Sequence, residues 1–229
     1  MSDAATATGH DPKDIIAARV AEEVTSGMLV NLGIGLPSRV AGFLTGVEDV
    51  FFQAENGVIG LGDRPPEGME DPFLTDAGGG FVSAVPGAAS IDSAVSFALI
   101  RGGHLDMTVL GGLEVDSHGH LANWTVPGKM VPGMGGAMDL VAGARRVVVA
   151  MTHTAKGAPK IKETCTLPLT ALRRVDLIVT EMAVIQPSDA GLHLREVGPG
   201  QSIDAVLAAT EATLLIDGDP PEMSLRHLT

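Results

Sequence analysis

The stretch Met28-Leu29-Val30-Asn31-Leu32-Gly33-Ile34-Gly35-Leu36-Pro37-Ser38 joins a short, mostly apolar run to two glycines and a proline. A run of this length that ends at glycine is typical of a strand buried on both faces of a sheet. Proline fits the first turn of a helix, so a helix is predicted from Pro37 to about Leu44. The stretch therefore predicts a strand, a tight turn and a helix in succession, which is the repeating unit of an α/β sheet.

The same alternation continues on both sides of this stretch. Further short apolar runs, each bounded by glycine or charge, lie at residues 50–54, 107–110, 147–151, 177–180 and 213–216. Helices are predicted from about Asp14, from Ser90 or Asp92 to about Ile100, and over residues 202–209. Strands that alternate with helices predict the α/β class, as an open three-layer sandwich in which helices flank a mostly parallel sheet.

One domain accounts for most of the chain. No internal repeat, low-complexity block or linker interrupts residues 13–216. Residues 1–12 are mostly small and polar and offer nothing to bury, and residues 217–229, with Pro220 and Pro221, are similar. The sequence therefore predicts a single domain at 13–216 with flexible tails at 1–12 and 217–229.

Composition excludes several classes of function. The 229 residues include 15 basic and 28 acidic side chains, a net charge of −13 that disfavours binding to nucleic acid or to an anionic membrane. A single cysteine excludes an internal disulfide and favours a reducing compartment. The longest charge-free stretches, residues 24–38 and 77–91, are both broken by glycine and proline and are shorter than the ~20 residues of a membrane span. With no signal-peptide pattern at the start, we expect a cytoplasmic protein.

Ligands of open α/β sheets usually bind beyond the carboxyl ends of the strands, so the residues after each apolar run are candidates. Gly33 and Gly35 precede a predicted helix and could hold a phosphate or carboxylate on backbone N–H groups. Ser38 stands where a dinucleotide fingerprint has its third glycine, which disfavours a Rossmann-type dehydrogenase. A plain strand-to-helix turn is the alternative.

Glu55-Asn56-Gly57 follows the run at 50–54. Asn-Gly between apolar segments predicts a hairpin turn, in which Glu55 would be a solvated side chain. The same turn could instead present the Glu55 carboxylate to a ligand, since Gly57, Gly60 and Gly62 would let the ligand approach the backbone. Both interpretations stay open on this pattern alone.

Two further groups of side chains could carry chemistry. Asp116, His118 and His120 alternate as metal ligands on a strand would, but Asp-Ser-His-Gly favours a type I turn and so no metal site. Cys165 could be a nucleophile with His153, but no nearby pattern supports this, and a buried structural thiol is favoured.

Residues 127–136 contain four glycines and two prolines, a composition that fits neither helix nor strand. Consecutive backbone N–H groups of such a loop can point at a developing negative charge, and Gly135 and Gly136 are the candidates here. A packed irregular loop without chemistry is the alternative.

Several of these stretches together resemble a known family. Glu55-Asn56-Gly57-Val58-Ile59-Gly60-Leu61-Gly62 is similar to the catalytic signature of family I CoA-transferases. Residues 121–130, 133–140 and 154–170 resemble further motifs of that family, in the same order. The resemblance runs from about Asp14 to about Ile185. It is nearest to the B-type (beta) subunit of 3-oxoacid CoA-transferases, of the succinyl-CoA:3-ketoacid type, with the 3-oxoadipate enzymes close by.

The resemblance implies a fold, a partner and a site. The fold is the open α/β sandwich shared with sugar-phosphate isomerases. The partner is the A-type CoA-transferase subunit, in an A2B2-type hetero-oligomer with the active site between the two polypeptides. Glu55 would be the nucleophile, and the backbone of Gly135 and Gly136 would hold the thioester oxygen. Substrate-binding positions would be Gly33, Gly35, Asn56, Gly57 and Lys129. One departure is Ala54, where the family commonly has serine.

The resemblance also implies a reaction. CoA would pass from an acyl-CoA, with succinyl-CoA expected, to a 3-oxo acid such as acetoacetate or 3-oxoadipate, through an acyl-glutamyl anhydride and a glutamyl-CoA thioester on Glu55. CoA would be a substrate, and no metal or other cofactor would be needed. The alternatives are a CoA hydrolase, a sugar-phosphate isomerase, and a non-catalytic subunit that binds acyl-CoA.

Overall fold

The computed structural model describes residues 9–128, 133–226 and 228. Its helices are α1 (Pro12–Ala21), α2 (Ser93–Arg101), α3 (Ala137–Gly143) and α4 (Ile203–Ala209), and Pro37–Phe43 forms a 3₁₀ helix. The strands are β1 (Leu29–Leu32), β2 (Phe51–Gln53), β3 (Val58–Leu61), β4 (Ala84–Ser90), β5 (Met107–Leu110), β6 (Glu114–Asp116), β7 (Leu121–Ala122), β8 (Arg146–Ala150), β9 (Thr154–Ala155), β10 (Ala158–Pro159), β11 (Ile161–Lys162), β12 (Leu177–Val179), β13 (Ala183–Ser188), β14 (Gly191–Val197) and β15 (Leu214–Ile216).

A ten-stranded sheet in the order β15-β14-β13-β12-β8-β5-β1-β2-β3-β4 forms the centre of the molecule. The five middle strands, from β12 to β2, are all parallel to one another. Antiparallel strands β3 and β4 extend the sheet on one side, and β13 and β14 extend it on the other. The carboxyl ends of the parallel strands therefore lie at one edge of the sheet, where the residues that follow them come together. The mostly parallel sheet with its helices confirms the predicted α/β class.

Side chains that alternate along the central strands build an apolar layer on each face of the sheet. Val147 and Val149 of β8 pack with Ile100 of α2 and Leu140 of α3. Val148, on the opposite face of the same strand, packs in the cluster that contains most of α1. Burying each such side chain stabilises the fold by roughly 1.5–3 kcal/mol. The predicted three layers are confirmed by these two separate clusters.

The start of the folded domain differs from the prediction by a few residues. Asp11, assigned above to a tail that ends at residue 12, is the N-cap of α1, and its carboxylate accepts the Lys13 N–H at 3.0 Å. Pro12 then occupies the first turn, where its missing N–H costs nothing. Asp14 therefore lies within the first turn of the helix and does not begin it. Asp92 caps α2 and Ser202 caps α4.

The predicted C-terminal tail from residue 217 is wrong for the residues that the structure describes there. Met223 is 4% exposed and packs in the cluster that contains α1. Val197 N–H donates to Pro221 O at 2.9 Å, and Met223 N–H donates to Val197 O at 2.8 Å. This segment pairs with β14 beyond the end of β15, so the core extends past residue 216. Within the described ranges, no helix is long and apolar enough to cross a membrane.

Candidate active site

Glu55 lies in the tight turn between β2 and β3, at the edge where the parallel strands end. Ala54 N–H donates to Val58 O, and Gly57 N–H donates to Ala54 O, each at 2.9 Å. Gly57 has a φ of +119°, and a Cβ atom placed there would lie 2.0 Å from Ile91 O, so the turn requires glycine. The predicted Asn-Gly hairpin is confirmed, but the Glu55 side chain is half-buried, not fully solvated.

The backbone of the glycine-rich loop covers the Glu55 side chain. Gly136 N–H donates to Glu55 Oε1 at 3.4 Å, a long hydrogen bond. A Cβ atom on Gly136 would lie 3.2 Å from Glu55 Cγ, and one on Gly135 would lie 3.6 Å from Glu55 Oε1. Gly135 also has a φ of +50°. Only a residue without a side chain leaves this space above the carboxylate, so the structure brings together the three residues named for catalysis.

The other candidate residues are placed as follows. Gly33 directly follows β1, the neighbour of β2, and its N–H donates to Val109 O at 2.8 Å. Gly35 has a φ of +89° and has open space beside its Cα. The Asn56 side-chain amide donates to Thr75 O at 2.8 Å, so it holds a neighbouring loop. Lys129 lies outside the described residues.

Buried polar side chains form a continuous series of hydrogen bonds next to the turn, and the sequence analysis did not predict this series. Thr108 Oγ1 donates to Asn31 Oδ1 at 3.1 Å, and Asn31 Nδ2 donates to Gln53 Oε1 at 3.2 Å. Gln53 Nε2 then donates to Ser96 Oγ at 2.8 Å. All four side chains are at most 2% exposed, so leaving one group without its partner would cost roughly 1–3 kcal/mol. These hydrogen bonds join the end of β2, two residues before Glu55, to the first turn of α2.

A second polar cluster lies where β8 and β12 end. His153 is fully buried, with Nδ1 at 2.9 Å from Thr180 Oγ1 and Nε2 at 2.9 Å from Thr210 Oγ1. Burial lowers the pKa of His153 to about 4 and the pKa of Lys160 to about 8. The neutral imidazole is therefore part of the packed interior.

This cluster predicts a pH dependence of stability. Between the ordinary pKa of about 6.5 and the folded value of about 4, the unfolded chain binds a proton at His153 and the folded chain does not. Stability from this residue is therefore present above pH 6.5 and is lost as the pH falls toward 4, by up to about 1.4 kcal/mol per pH unit. Urea unfolding near neutral pH and near pH 5 measures how much unfolding free energy is lost on acidification. We expect this loss to be smaller for His153→Gln than for wild type. Equal losses in the two proteins would contradict the assignment.

The remaining candidates have structural roles. Asp116 Oδ1 accepts the N–H groups of His118 and His120 at 3.0 and 2.9 Å, which confirms the predicted turn. Across residues 9–128, 133–226 and 228, no group of three acidic, histidine or cysteine side chains is arranged to hold a metal ion. Burial raises the pKa of Cys165 to about 12, which disfavours the thiolate and agrees with a structural thiol.

Comparisons with known proteins identify the family and several relatives of this chain. A family model described as Coenzyme A transferase matches residues 13–209. The chain is 53% identical to the beta subunit of a "probable coenzyme A transferase" of Bacillus subtilis, covering 91% of this chain and 97% of that protein. It is 52% identical to the beta subunit of the acetate CoA-transferase of Escherichia coli, covering 91% and 96%. It is 48% identical to the B-type subunit of the succinyl-CoA:3-ketoacid coenzyme A transferase of Helicobacter pylori, covering 87% and 97%.

A solved structure shares the fold. The acyl-CoA transferase YdiF apoenzyme from E. coli O157:H7 superposes with a TM-score of 0.76 at 24% identity. The superposition covers 96% of this chain and 44% of the YdiF chain, so the present chain spans somewhat less than half of that protein. At this identity the likeness establishes the architecture of the sheet and its helices.

Proposed function

Because the chain belongs to the coenzyme A transferase family, we propose that it is the catalytic subunit of an enzyme that moves CoA from an acyl-CoA to a free carboxylic acid. The observation that carries the proposal is the position of Glu55. Its carboxylate lies at the end of a central strand, under the Gly135–Gly136 backbone, with Oε1 facing the Gly136 N–H. A carboxylate held beside a backbone donor is the arrangement that covalent acyl transfer requires.

The proposed reaction uses the Glu55 carboxylate as the nucleophile. One carboxylate oxygen attacks the thioester carbonyl carbon, the C–S bond breaks, and CoA leaves as a thiolate. The thiolate then attacks the glutamyl carbonyl of the resulting anhydride, and the C–O bond breaks to release the donor acid as its carboxylate. The acceptor acid reverses these steps on the glutamyl-CoA thioester. These steps balance without redox change, and each uses only the Glu55 carboxylate, CoA and the two acids, so we propose CoA as a substrate and no metal or other cofactor.

The glycine-rich loop has a defined task in this scheme. Each tetrahedral intermediate places negative charge on an oxygen atom, and a well-placed N–H donor stabilises such an oxyanion by roughly 3–4 kcal/mol. Among the described residues, Gly136 N–H donates to Glu55 Oε1 at 3.4 Å, and this long hydrogen bond can shorten when negative charge develops. Gly135 and Gly136 lack side chains, which leaves room for the thioester beside the carboxylate.

The names of the relatives suggest two possible sets of substrates for the transfer of CoA. One similar protein is named as part of an acetate CoA-transferase and another as part of a succinyl-CoA:3-ketoacid transferase, so acetate and succinate are the acids to compare. The second is the pair expected from the sequence, in which succinyl-CoA donates CoA to a 3-oxo acid such as acetoacetate or 3-oxoadipate. These relatives are named as a beta subunit and a B subunit, which implies a second kind of subunit, and the proposal therefore includes a partner, the A-type subunit, in an A2B2 complex.

A transfer assay tests this proposal. The chain is co-expressed with the A-type subunit, and the complex is given acetoacetyl-CoA with acetate, with succinate, or with no acceptor. We expect a new acyl-CoA to form with at least one acid and negligible free CoA without an acceptor. Release of free CoA without an acceptor would show that the complex is a CoA hydrolase and contradict the assignment as a transferase. Tight binding of acyl-CoA with no turnover would favour a non-catalytic role, and sugar-phosphate isomerisation without CoA would favour the isomerase.

A further inference from the structure

The two groups that face each other in the candidate site belong to separate elements of the fold. Glu55 lies in the turn after β2, and Gly136, 81 positions later, is the N-cap of α3. The hydrogen bond between them is long, at 3.4 Å, and is too weak to hold the carboxylate in place by itself. Other contacts must therefore fix their relative position, and α2 lies against both elements.

Helix α2 is joined to the turn on both sides of the glutamate. Two residues before Glu55, Gln53 Nε2 donates to Ser96 Oγ of α2 at 2.8 Å. Two residues after Glu55, Gly57 O accepts the N–H of Ile91, the residue that precedes the N-cap of α2, at 2.9 Å. The turn is therefore attached to α2 by one side-chain hydrogen bond and one backbone hydrogen bond.

Helix α2 is also attached to α3, the helix that begins at the glycine-rich loop. Gly143 of α3 lies so close to Ile100 O of α2 that a Cβ atom on the glycine would not fit. Arg101 Nε of α2 donates to Asp139 Oδ1 of α3 at 2.7 Å. A shift of the β2–β3 turn relative to α2 would therefore also be a shift relative to the glycine-rich loop.

The hydrogen bond from Gln53 to Ser96 is the directional part of this arrangement. Gln53 is 2% exposed and Ser96 is fully buried, so water cannot take the place of either partner. Asn31 Nδ2 donates to Gln53 Oε1 at 3.2 Å and to Gln53 O at 3.0 Å. These two contacts fix the orientation of the Gln53 amide and direct its NH₂ group to the Ser96 hydroxyl.

We propose that Gln53 and Ser96 are positioning residues for CoA transfer, because their hydrogen bond sets the distance of the Glu55 carboxylate from the Gly136 N–H. Both side chains are buried, so they act through the turn and not on the substrate. The inference rests on the proposed function, in which Glu55 attacks the thioester beside this donor. A displacement of about 1 Å can slow such a reaction by about a hundredfold, so even a smaller movement of the turn lowers the rate.

The first test is Ser96→Ala, which removes the acceptor of Gln53 Nε2 and leaves the backbone of β2 unchanged. Thr210→Val is the matched control. Thr210 Oγ1 makes a hydrogen bond of similar length, 2.9 Å, to the fully buried His153, at the C-cap of α4. Helix α4 connects β14 to β15, at the far side of the sheet from β2. Each variant removes one hydroxyl from a buried polar contact, so urea unfolding should show both to be less stable than wild type.

The kinetic constants kcat and KM for acetoacetyl-CoA are measured in the complex with the second subunit, with saturating acceptor acid. We expect Ser96→Ala to lower kcat by about tenfold or more and to change KM by less than about twofold, because the loss falls on the transition state and not on binding. Thr210→Val should keep kcat within about twofold of wild type. Equal kcat values for the two variants would overturn the positioning role.

A double variant separates position from stability. In Gln53→Met/Ser96→Ala both partners are apolar, so the stability lost in Ser96→Ala should be largely recovered. The directional hydrogen bond is still absent, so kcat should remain about tenfold below wild type. Recovery of kcat together with stability would show that the pair only stabilises the fold, and would overturn the proposal.

These outcomes are distinct from a failure of the proposed function. If the wild-type complex assembles and transfers no CoA, the proposed function fails and the positioning role fails with it. If the wild-type complex transfers CoA and Ser96→Ala keeps the kcat of Thr210→Val, only the positioning role fails.

Discussion

Replacing Glu55 with glutamine is expected to lower CoA transfer by at least about a thousandfold, because the amide cannot attack a thioester while its shape is unchanged. Glu55→Ala should lose essentially all activity for the same reason. Glu55→Asp should lose most of it: the carboxylate withdraws by one methylene from the Gly136 N–H, and a displacement of about 1 Å can cost about a hundredfold.

The Glu55 variants are assayed in the complex with the second subunit, by the appearance of the new acyl-CoA. Binding of acyl-CoA by Glu55→Gln serves as the control for an intact site, and it should stay close to the wild-type value. Wild-type turnover by Glu55→Ala in the assembled complex would show that another group carries the reaction.

Gly57→Ala is the second substitution with a large expected effect. Its Cβ atom would lie 2.0 Å from Ile91 O, a backbone atom that cannot move without separating the turn from the start of α2. Gly46→Ala is the matched control, because Gly46 also has a positive φ, +70°, but has nothing within 4 Å of its Cβ position. Both variants incur the strain of a left-handed backbone, roughly 1–2 kcal/mol, and only Gly57→Ala adds the clash.

We expect Gly57→Ala to lower the free energy of unfolding by roughly 3 kcal/mol or more, and to reduce activity by about a hundredfold because the turn that carries Glu55 must shift. Gly46→Ala should lose only the strain energy and keep its activity. Urea unfolding and the transfer assay measure both quantities. If the two alanine variants behaved alike, the close approach of Ile91 to the turn would not control the position of Glu55.

The central strands could be predicted because buried parallel strands have continuous apolar sequences, as at residues 107–110 and 147–151. The turn at Glu55 could also be predicted, since Asn-Gly has few other uses between apolar runs. The contact of Glu55 with Gly136 is different. The two residues lie 81 positions apart, and only resemblance to a family suggested that they act together.

Other features depend on tertiary contacts that no local pattern records. Strand β4 contains Pro86 and Gly87, which usually interrupt strands, and is held by its pairing with β3. Met223 follows two prolines in a polar segment, and its burial depends on the pairing of this segment with β14 beyond the end of β15. Asn31, Gln53 and Thr108 are polar residues within apolar runs, and this is the local signal of the buried hydrogen-bonded side chains.

Covalent catalysis by Glu55 is tested by the mass of the peptide that contains this residue. The complex with the second subunit is incubated with acetoacetyl-CoA or succinyl-CoA in the absence of an acceptor acid, treated with borohydride or hydroxylamine, and digested for mass spectrometry. We expect a CoA-dependent modification of Glu55 in the wild type and none in Glu55→Gln. An unmodified Glu55 in a complex that is assembled and turning over would contradict covalent catalysis by this residue.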